Sequence, residues 1–255
     1  KPNKALPIRP RVVFLDTETS GLSGGAGTFA FMVCCGEMTA EGYKTIQLFL
    51  PSPENESAFL NELNKILEGV DIIVTFNGKS FDLPVIHNRY ILHRIPPSFS
   101  DYHQIDVLYL ARRIWRERLA SRRLLDLETE ILGFTRAEED IPGWMAPEIY
   151  LDFLNTSNPK PLTGIFYHNR MDVLSLTALF FYLSDNLDDR SKTNHISEEL
   201  AIARIYHEQG FNEEVIDRYK MALIHNPDNE NRMYIYTQIA KKHLSNGDYI
   251  EAIHY

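Results

Sequence analysis

The sequence has 255 residues, of which 44% are hydrophobic, and a formal net charge of −9. This composition allows a substantial buried core, and the lack of any apolar run approaching about 18 residues predicts that no segment spans a membrane. The acidic balance argues against non-specific adhesion to nucleic acid over the whole surface, but not against a nuclease with clustered acids. Adjacent Cys34 and Cys35 would point to opposite faces of a strand, which argues against a disulfide. Together with an N-terminus that lacks a signal segment, they predict a reducing, cytoplasmic location.

Apolar runs and turn residues predict the element order of the first two thirds of the chain. Three strands are expected over 11–16, 28–38 and 43–51, followed by a helix over 55–70 and a buried strand over 71–77. A helix near 82–95, a short strand near 102–107 and helices through the arginine-rich segment 112–123 and through 124–133 come next. The order of strands and helices predicts an α/β fold with a mixed sheet.

The C-terminal part of the sequence resembles the tetratricopeptide helix-turn-helix repeat. The matching positions are Ala203, Tyr206, Gly210, Val215, Tyr219, Ala222 and Pro227, and an incomplete second copy has Ala240, Gly247 and Ala252. The polar stretch before it predicts a linker. We therefore expect one domain over 1–184, a linker over 185–198 and an all-α tetratricopeptide-like segment over 199–255.

Two carboxylates are expected at the end of the first strand. Because residues two apart share a face of a strand, Asp16 and Glu18 would project together. Carboxylates that close repel each other unless a cation lies between them, and Mg²⁺ prefers such oxygen ligands. The alternative interpretation is a strand-end turn with solvated acids.

Two further acids strengthen the metal hypothesis. Asp82 follows the turn at Asn77 and starts a helix, and Asp172 lies in a largely apolar helix, where a carboxylate is costly unless it is paired or bound to a metal. The alternative for Asp172 is an interaction with the helix dipole. Asp101 and Asp106 compete with these residues for a metal role.

The sequence resembles the DEDD exonucleases of the ribonuclease-H-like superfamily in the placement of these four acids. Its motifs FLDTETSGL, DIPG and HNRMDVLSL are similar in particular to those of the bacterial YprB/MrfB-type family. The resemblance implies a five-stranded mixed sheet flanked by helices and a metal-dependent 3′→5′ exonuclease. It further implies two divalent cations, Mg²⁺ or Mn²⁺, with Asp16 between them. Glu18 and Asp172 would complete one cation site, and Asp82 would support the other.

DEDD enzymes use a fifth residue, and this sequence offers Tyr167 and His168. On a helix, residues four apart differ in direction by only about 40°, so His168 would face the same way as Asp172. Histidine also titrates near neutrality and can accept a proton from water, whereas tyrosine normally stays protonated. We expect His168 to be the general base, and Tyr167 stays open if the helix begins later.

Nucleic-acid contacts are predicted in two regions. The glycine loop, with Gly21, Gly24, Gly25 and Gly27, would leave room for a sugar or phosphate, although an ordinary turn is the alternative. The arginine-rich segment 112–123 could bind the phosphate backbone, with Trp115 or Tyr109 stacking on a base; a solvated helix face is the alternative. The predicted contacts are Thr19, Gly21, Asn77, Arg112, Arg113, Arg116, Arg122 and Arg123.

The sequence therefore predicts a 3′→5′ exonuclease acting on single-stranded or frayed DNA ends, with a role in repair. Alternatives are an RNA exonuclease, an endonuclease of the same superfamily, and a nucleic-acid-binding scaffold. In the scaffold hypothesis, the repeats recruit a protein partner such as a helicase.

Overall fold

In the computed structural model, residues 5–21, 27–99, 101–137, 140–188 and 195–255 are described. The chain divides into two compact units, Lys1–Tyr109 with Arg123–Phe180, and Leu110–Arg122 with Phe181–Tyr255. This division differs from the predicted one, because the arginine-rich segment belongs to the C-terminal unit. Within that unit, Arg113 pairs with Glu208 at 2.8 Å and Arg118 with Glu198 at 2.5 Å.

The first unit is built on a five-stranded mixed sheet, which confirms the predicted fold class. Its strands are β1 (Val12–Thr19), β2 (Ala30–Thr39), β3 (Gly42–Phe49), β4 (Ile72–Thr75) and β5 (His103–Asp106). Their order is β3-β2-β1-β4-β5. β1 runs antiparallel to β2 and parallel to β4, β2 runs antiparallel to β3, and β4 runs parallel to β5.

The central strand β1 is apolar on both faces because the sheet is covered on both sides. Val13, Phe14 and Leu15 are buried in succession, as in strands that have no solvent face. The pairing register with β2 shifts between Glu18 and Thr19. Such an irregularity ends regular pairing and redirects side chains at the end of a strand.

The helices of the first unit follow the predicted order. They are α1 (Glu56–Leu67), α2 (Asp82–His93), α3 (Val107–Ile114), α4 (Leu124–Leu127), α5 (Ala146–Thr156) and α6 (Leu162–Asp188), with the last residues of α3 and α6 in the second unit. A π-helical turn, Glu128–Leu132, continues α4, and a 3-10 turn, Gly143–Met145, precedes α5. Tyr150 of α5 stacks on Phe31 with ring centroids 4.1 Å apart, which fixes α5 to the sheet.

The arginine-rich segment is less helical than predicted. α3 ends at Ile114, and Arg116 to Arg123 lie in turns and extended chain. Arg122 Nη1 donates to the carbonyl oxygens of Leu119 and Ala120, at 2.8 and 3.2 Å. These bonds satisfy carbonyls that a continued helix would have paired with main-chain N–H groups.

The second unit ends in four helices, α7 (Ile196–Gln209), α8 (Asn212–Ile224), α9 (Asn229–Asn246) and α10 (Tyr249–His254). Gly210 and Gly247 end α7 and α9 with φ of 84° and 83°, a left-handed conformation that favours glycine. Ala203, Val215, Tyr219 and Ala222 share one apolar core with Ile235 and Ile239. A C-terminal helical region is thus present, and its assignment to the tetratricopeptide family stays a prediction.

Within the described residues, no helix has the length and apolarity needed to cross a bilayer. Cys34 and Cys35 are both buried free thiols, so the expectation that they form no disulfide is confirmed.

Candidate active site

The site begins at the end of β1, where Asp16 and Glu18 alternate with Thr17. Asp16 pairs in register with Cys34 of β2, and Glu18 pairs with Met32, just before the register shifts. Glu18 is buried and Asp16 is half-buried. Alternation along the strand therefore places both carboxylates on one face, as predicted.

Asp82 reaches this end of the sheet as the first residue of α2. It is buried, and one of its carboxylate oxygens accepts a hydrogen bond from the hydroxyl of Thr17. Thr17 lies between the two acids of β1, so this bond connects the start of α2 directly to the strand. The structure thus brings Asp82 to the acids of β1.

Asp106 supports the turn before Asp82. Its Oδ1 accepts from the backbone N–H groups of Asn77, at 2.8 Å, and Leu108, at 3.1 Å, and its Oδ2 accepts from the N–H of Lys79, at 3.1 Å. Asn77 has a φ of 66°, a left-handed conformation held by this anchor. Asp106 therefore orders the turn, and Asp101, the other competitor, is exposed.

α6 contributes His168, Asn169 and Asp172. Asn169 is fully buried, and its Nδ2 donates a 2.8 Å hydrogen bond to Oδ2 of Asp16. Gln47 of β3 donates in turn to Oδ1 of Asn169 at 3.3 Å and to the carbonyl of Phe166 at 2.8 Å. This chain of bonds fixes α6 against the strand that carries the first two acids.

The four acids form an electrostatically unfavourable group, as their pKa values show. Burial raises the pKa of Asp16 well above its usual range, and the charges of Asp172, Asp82 and Glu18 raise it further. The pKa of Glu18 is also raised well above normal by burial, then by Asp172 and Asp82. Burial raises the pKa of Asp82 to about 6 and also raises that of Asp172.

A buried arginine, Arg136, lies beside the acids and was not predicted from the sequence. Its side chain is only 4% exposed. Its Nε donates to Oε2 of Glu128 at 2.8 Å, and its Nη2 donates to Glu128 and to Oδ1 of Asp172. Burial opposes its charge, but Glu128 and Asp172 hold the pKa of this guanidinium above its usual range.

The segment DIPG orients His168. Asp140 Oδ1 lies 2.8 Å from His168 Nδ1, while Nη1 of Arg136 lies 3.2 Å from the same nitrogen. The shorter contact favours the tautomer in which Nδ1–H donates to Asp140 and Nε2 is free to accept a proton. On the other side of the ring, His168 Nε2 lies 3.6 Å from Oδ2 of Asp172.

Two glycines allow this segment to lie against α6. A Cβ added at Gly143 would be 2.9 Å from His168 Nε2, and one added at Gly164 would be 2.8 Å from Cγ2 of Ile141. Both distances are shorter than normal contacts with a side-chain carbon. The DIPG segment thus has a structural role that its sequence alone did not reveal.

Both candidates for the fifth residue are already helical, because α6 begins at Leu162. His168 faces Asp172, whereas the hydroxyl of Tyr167 accepts a hydrogen bond of 3.2 Å from the N–H of Ala137. The geometry therefore supports His168, and its role as general base stays a prediction.

The predicted nucleic-acid contacts are only partly gathered at the site. Thr19 is buried and donates to the carbonyl of Gly21 at 2.9 Å, and Asn77 is exposed. Gly24 and Gly25 lie outside the described residues. Arg113 and Arg123 pair with the acids Glu208 and Asp126, while Arg112 and Arg116 are exposed. Binding of nucleic acid by these arginines stays a prediction.

The two tryptophans have opposite environments. Trp115 is 0% exposed, so the prediction that it stacks on a base is wrong; its ring packs near Tyr182 with centroids 6.3 Å apart. Trp144 is 65% exposed and directly follows Gly143, where an added Cβ would lie 2.9 Å from His168 Nε2. Sequence reasoning missed Trp144, although its place in DIPGW, next to a glycine, was a usable signal.

Within the described parts of the chain, no three His, Cys, Asp or Glu side chains are arranged to hold a metal ion directly. Asp16, Asp82 and Asp172 are instead turned towards Asn169, Thr17 and Arg136. The donor set nevertheless fits a hard divalent cation, because it consists of carboxylate oxygens that repel one another. Asp16, Glu18, Asp82 and Asp172 are the residues that could bind it.

Comparison with known proteins agrees with this geometry. A family model described as the RNase H superfamily matches residues 13–184, which include all four acids and His168. The uncharacterized protein YprB of Bacillus subtilis (strain 168) is 37% identical over 195 residues, 75% of this chain and 46% of that protein. The chain thus spans about half the length of this relative. The fold and the match together support a nuclease function.

Proposed function

The chain belongs to the RNase H superfamily, and from this membership we propose that it is a metal-dependent 3′→5′ exonuclease that acts on DNA. One observation carries the proposal: Asp16, Glu18, Asp82 and Asp172 come together from β1, α2 and α6, with raised pKa values and with His168 beside Asp172. Such perturbed groups mark functional sites more often than structural ones.

The four carboxylates would hold two divalent cations, Mg²⁺ or Mn²⁺. When bound, these ions supply Lewis acidity that lowers the charge penalty at the scissile phosphate. Asp16 is central in this assignment because the charges of all three other acids act on it. Asn169 limits the directions in which Asp16 can turn, since it donates to Oδ2.

His168 would act as general base on the attacking water. With Nδ1–H donated to Asp140, Nε2 accepts the proton, and the resulting imidazolium is stabilised by Asp140 and by Asp172. A Cβ added at Gly143 would lie 2.9 Å from Nε2, so the glycine leaves the space that this nitrogen needs. The ring is restricted to one orientation by Asp140 without losing its accepting atom.

The substrate end would be bound by residues around these acids. Thr19, Gly21 and Asn77 are close to them in sequence, and Trp144 offers an exposed ring directly after Gly143, where an added Cβ would lie 2.9 Å from His168 Nε2. Aromatic side chains bind unpaired bases by stacking. We therefore propose single-stranded or frayed 3′ ends as substrates, in a repair role, with RNA as the alternative polymer.

The C-terminal helices would recruit a protein partner, such as a helicase. Their apolar core is complete around Tyr219, while side chains of α9 and α10 remain exposed, among them Met233, Tyr249, Ile250 and Ile253. If the chain bound DNA and this partner but cleaved nothing, the scaffold hypothesis would replace the exonuclease.

The decisive experiment compares DNA and RNA strands labelled at the 5′ or the 3′ end with closed circular DNA, in Mn²⁺ or in EDTA. An exonuclease of this polarity shortens the 5′-labelled DNA stepwise, releases the 3′ label first and leaves the circle intact. Equal degradation of RNA would change the proposed polymer, and cutting of the circle would indicate an endonuclease.

Two variants make the result specific to the site. Asp172→Asn should abolish the cleavage, because it removes a charge from the acid group while the size of the side chain is kept. Asp152→Asn changes an exposed acid on α5 and should leave the cleavage unchanged. Equal activity of Asp172→Asn and wild type would exclude the proposed site.

A further inference from the structure

We propose that Arg136 is a positioning residue that sets the orientation of the Asp172 carboxylate for cation binding; this inference rests on the proposed function of the same site. The Arg136 side chain is only 4% exposed, and it contacts both Asp172 and His168. It lies 36 residues before Asp172 in the sequence, outside every motif that marks the site.

The guanidinium is itself held by an acid that has no access to solvent. Glu128, on the π-helical turn, is 1% exposed and accepts from both Nε and Nη2 of Arg136. This two-point contact fixes the plane of the guanidinium. Nη2 then also donates to Oδ1 of Asp172, so the position of that oxygen follows from the position of Glu128.

The guanidinium of Arg136 also contacts the pair formed by Asp140 and His168. Nη1 of Arg136 lies 3.4 Å from Oδ2 of Asp140 and 3.2 Å from Nδ1 of His168. One planar side chain thus contacts the proposed cation ligand, the proposed base and the acid that orients the base. Besides its charge, it constrains the geometry of each group, because the donors of a guanidinium have fixed directions.

Charge alone does not explain this arrangement. Glu128 offsets part of the positive charge of Arg136 at close range, although this charge still lowers the pKa values of Glu18 and Asp172 against the effect of burial. The directions of the donor groups distinguish arginine from lysine at this position. A guanidinium can contact Glu128 and Asp172 together, whereas the single ammonium group of lysine cannot reproduce both contacts. The variant Arg136→Lys therefore keeps the positive charge but loses the contact geometry, so that the effects of the two can be measured separately.

The chain offers a matched control in α2. Arg89 donates to both oxygens of Glu56 through Nε and Nη2, and the side chains are 12% and 5% exposed. This pair is nearly as buried as that of Arg136 and Glu128, and His93 also contacts it. None of its residues belongs to the acid group described above.

In the experiment, the full chain is titrated with Mn²⁺ in the absence of DNA, and the heat of binding is measured by isothermal titration calorimetry. For Arg136→Lys we expect the dissociation constant for Mn²⁺ to rise about 10- to 100-fold, the range seen when groups that orient metal ligands are changed. For Arg89→Lys we expect no change. An unchanged constant in Arg136→Lys would overturn the proposal.

A second variant covers the case in which Arg136→Lys fails to fold. Glu128→Leu with Arg136→Met replaces the buried pair by apolar groups, which leaves no uncompensated charge between these two positions and often preserves stability. Weak Mn²⁺ binding in this folded double variant would support positioning. Binding as tight as in wild type would show that the pair is only structural.

The same variants separate this inference from the proposed function. In single-turnover cleavage of 5′-labelled DNA, Arg136→Lys should lower the rate of the first cut while its affinity for DNA in Ca²⁺ stays unchanged. If the wild type binds Mn²⁺ but cleaves nothing, the exonuclease proposal fails, and the calorimetric test of Arg136 still gives an answer. Weaker DNA binding at unchanged Mn²⁺ affinity would contradict the inference.

Discussion

Asn169 of α6 and Asp16 of β1 are joined by a 2.8 Å hydrogen bond across 153 residues of sequence. The donor is a fully buried amide, and the acceptor is the acid whose pKa is raised by the charges of all three others. This bond lowers the pKa of Asp16 and so favours its charged form, against the effect of burial and of the other acids. It therefore connects the position of α6 with the charge state of the strand-end acid.

Replacing Asn169 by leucine should destabilise the protein and weaken cation binding. The change leaves an oxygen of Asp16 without its buried donor, a loss of about 1–3 kcal/mol for a buried group, and it removes one of the acceptors of the Gln47 amide, which keeps its bond to the carbonyl of Phe166. The measurement is urea unfolding in EDTA and again with Mn²⁺. Asn61→Ala, which removes an exposed side-chain bond within α1, should change the free energy of unfolding far less.

Without a cation, the acids should make stability fall as the pH rises. Asp82 has a folded-state pKa of about 6, above the value of about 4 expected in the unfolded chain. The folded state therefore holds more protons than the unfolded state between these values, so this contribution is complete below about pH 4 and is lost towards pH 7.

The comparison of wild type with Asp82→Asn isolates this effect from the other titrating groups. In EDTA, the free energy of unfolding of the variant relative to that of wild type should increase as the pH rises. The reason is that the amide side chain of the variant stays neutral, whereas the carboxyl group of Asp82 becomes charged. Mn²⁺ should abolish the loss of stability that the charged Asp82 causes in the wild type as the pH rises. A difference that does not change with pH would contradict the raised pKa.

Gly143→Ala should impair the reaction by displacing the ring of His168. The added Cβ would lie 2.9 Å from Nε2, the proposed proton acceptor, so either the ring or the DIPG segment must move. Displacements of this kind can lower a rate by about 100-fold. The rate of the first cut is the quantity to measure.

A double-mutant cycle with His168→Ala provides the control. If Gly143→Ala acts through His168, its effect should disappear in the His168→Ala background, since coupled residues are not additive. Two independent, additive losses would show that the alanine disturbs the site in another way.

Trp144 should report the binding of a single strand. The sequence has 2 tryptophans, and Trp115 is buried, so quenching by added oligothymidylate in Ca²⁺ should come from Trp144. Trp144→Ala should weaken binding about 5- to 150-fold, the equivalent of one stacked base at about 1–3 kcal/mol, and Trp144→Phe should retain most of the affinity. Affinity equal to that of wild type in the alanine variant would exclude stacking at this position.

The sheet and the positions of the acids on their strands and helices could be predicted from local patterns in the sequence. The apolar run before Asp16 and the apolar strand before Asn77 are local patterns, and each is followed directly by the side chains that it positions. His168 and Asp172 are four apart in one helix, so their common direction also follows from local geometry.

The partners of these residues depend on tertiary contacts that no local pattern shows. Arg136 stands among acidic neighbours in FTRAEED, where a solvated side chain was the natural expectation, and only the fold places it against Glu128 and Asp172. The burial of Trp115 was hidden in the same way by the arginines around it. Its apolar spacing with Ala111 and Ile114 was the available signal.

The contact of Gly164 with Ile141 limits how related sequences can diverge. A side chain at 164 would meet Ile141 at 2.8 Å, so extra volume on the helix requires a smaller residue on the segment. We expect the two positions to covary in size across homologues, even where the acids are invariant. A homologue with large residues at both positions would need a different path for the segment that orients His168.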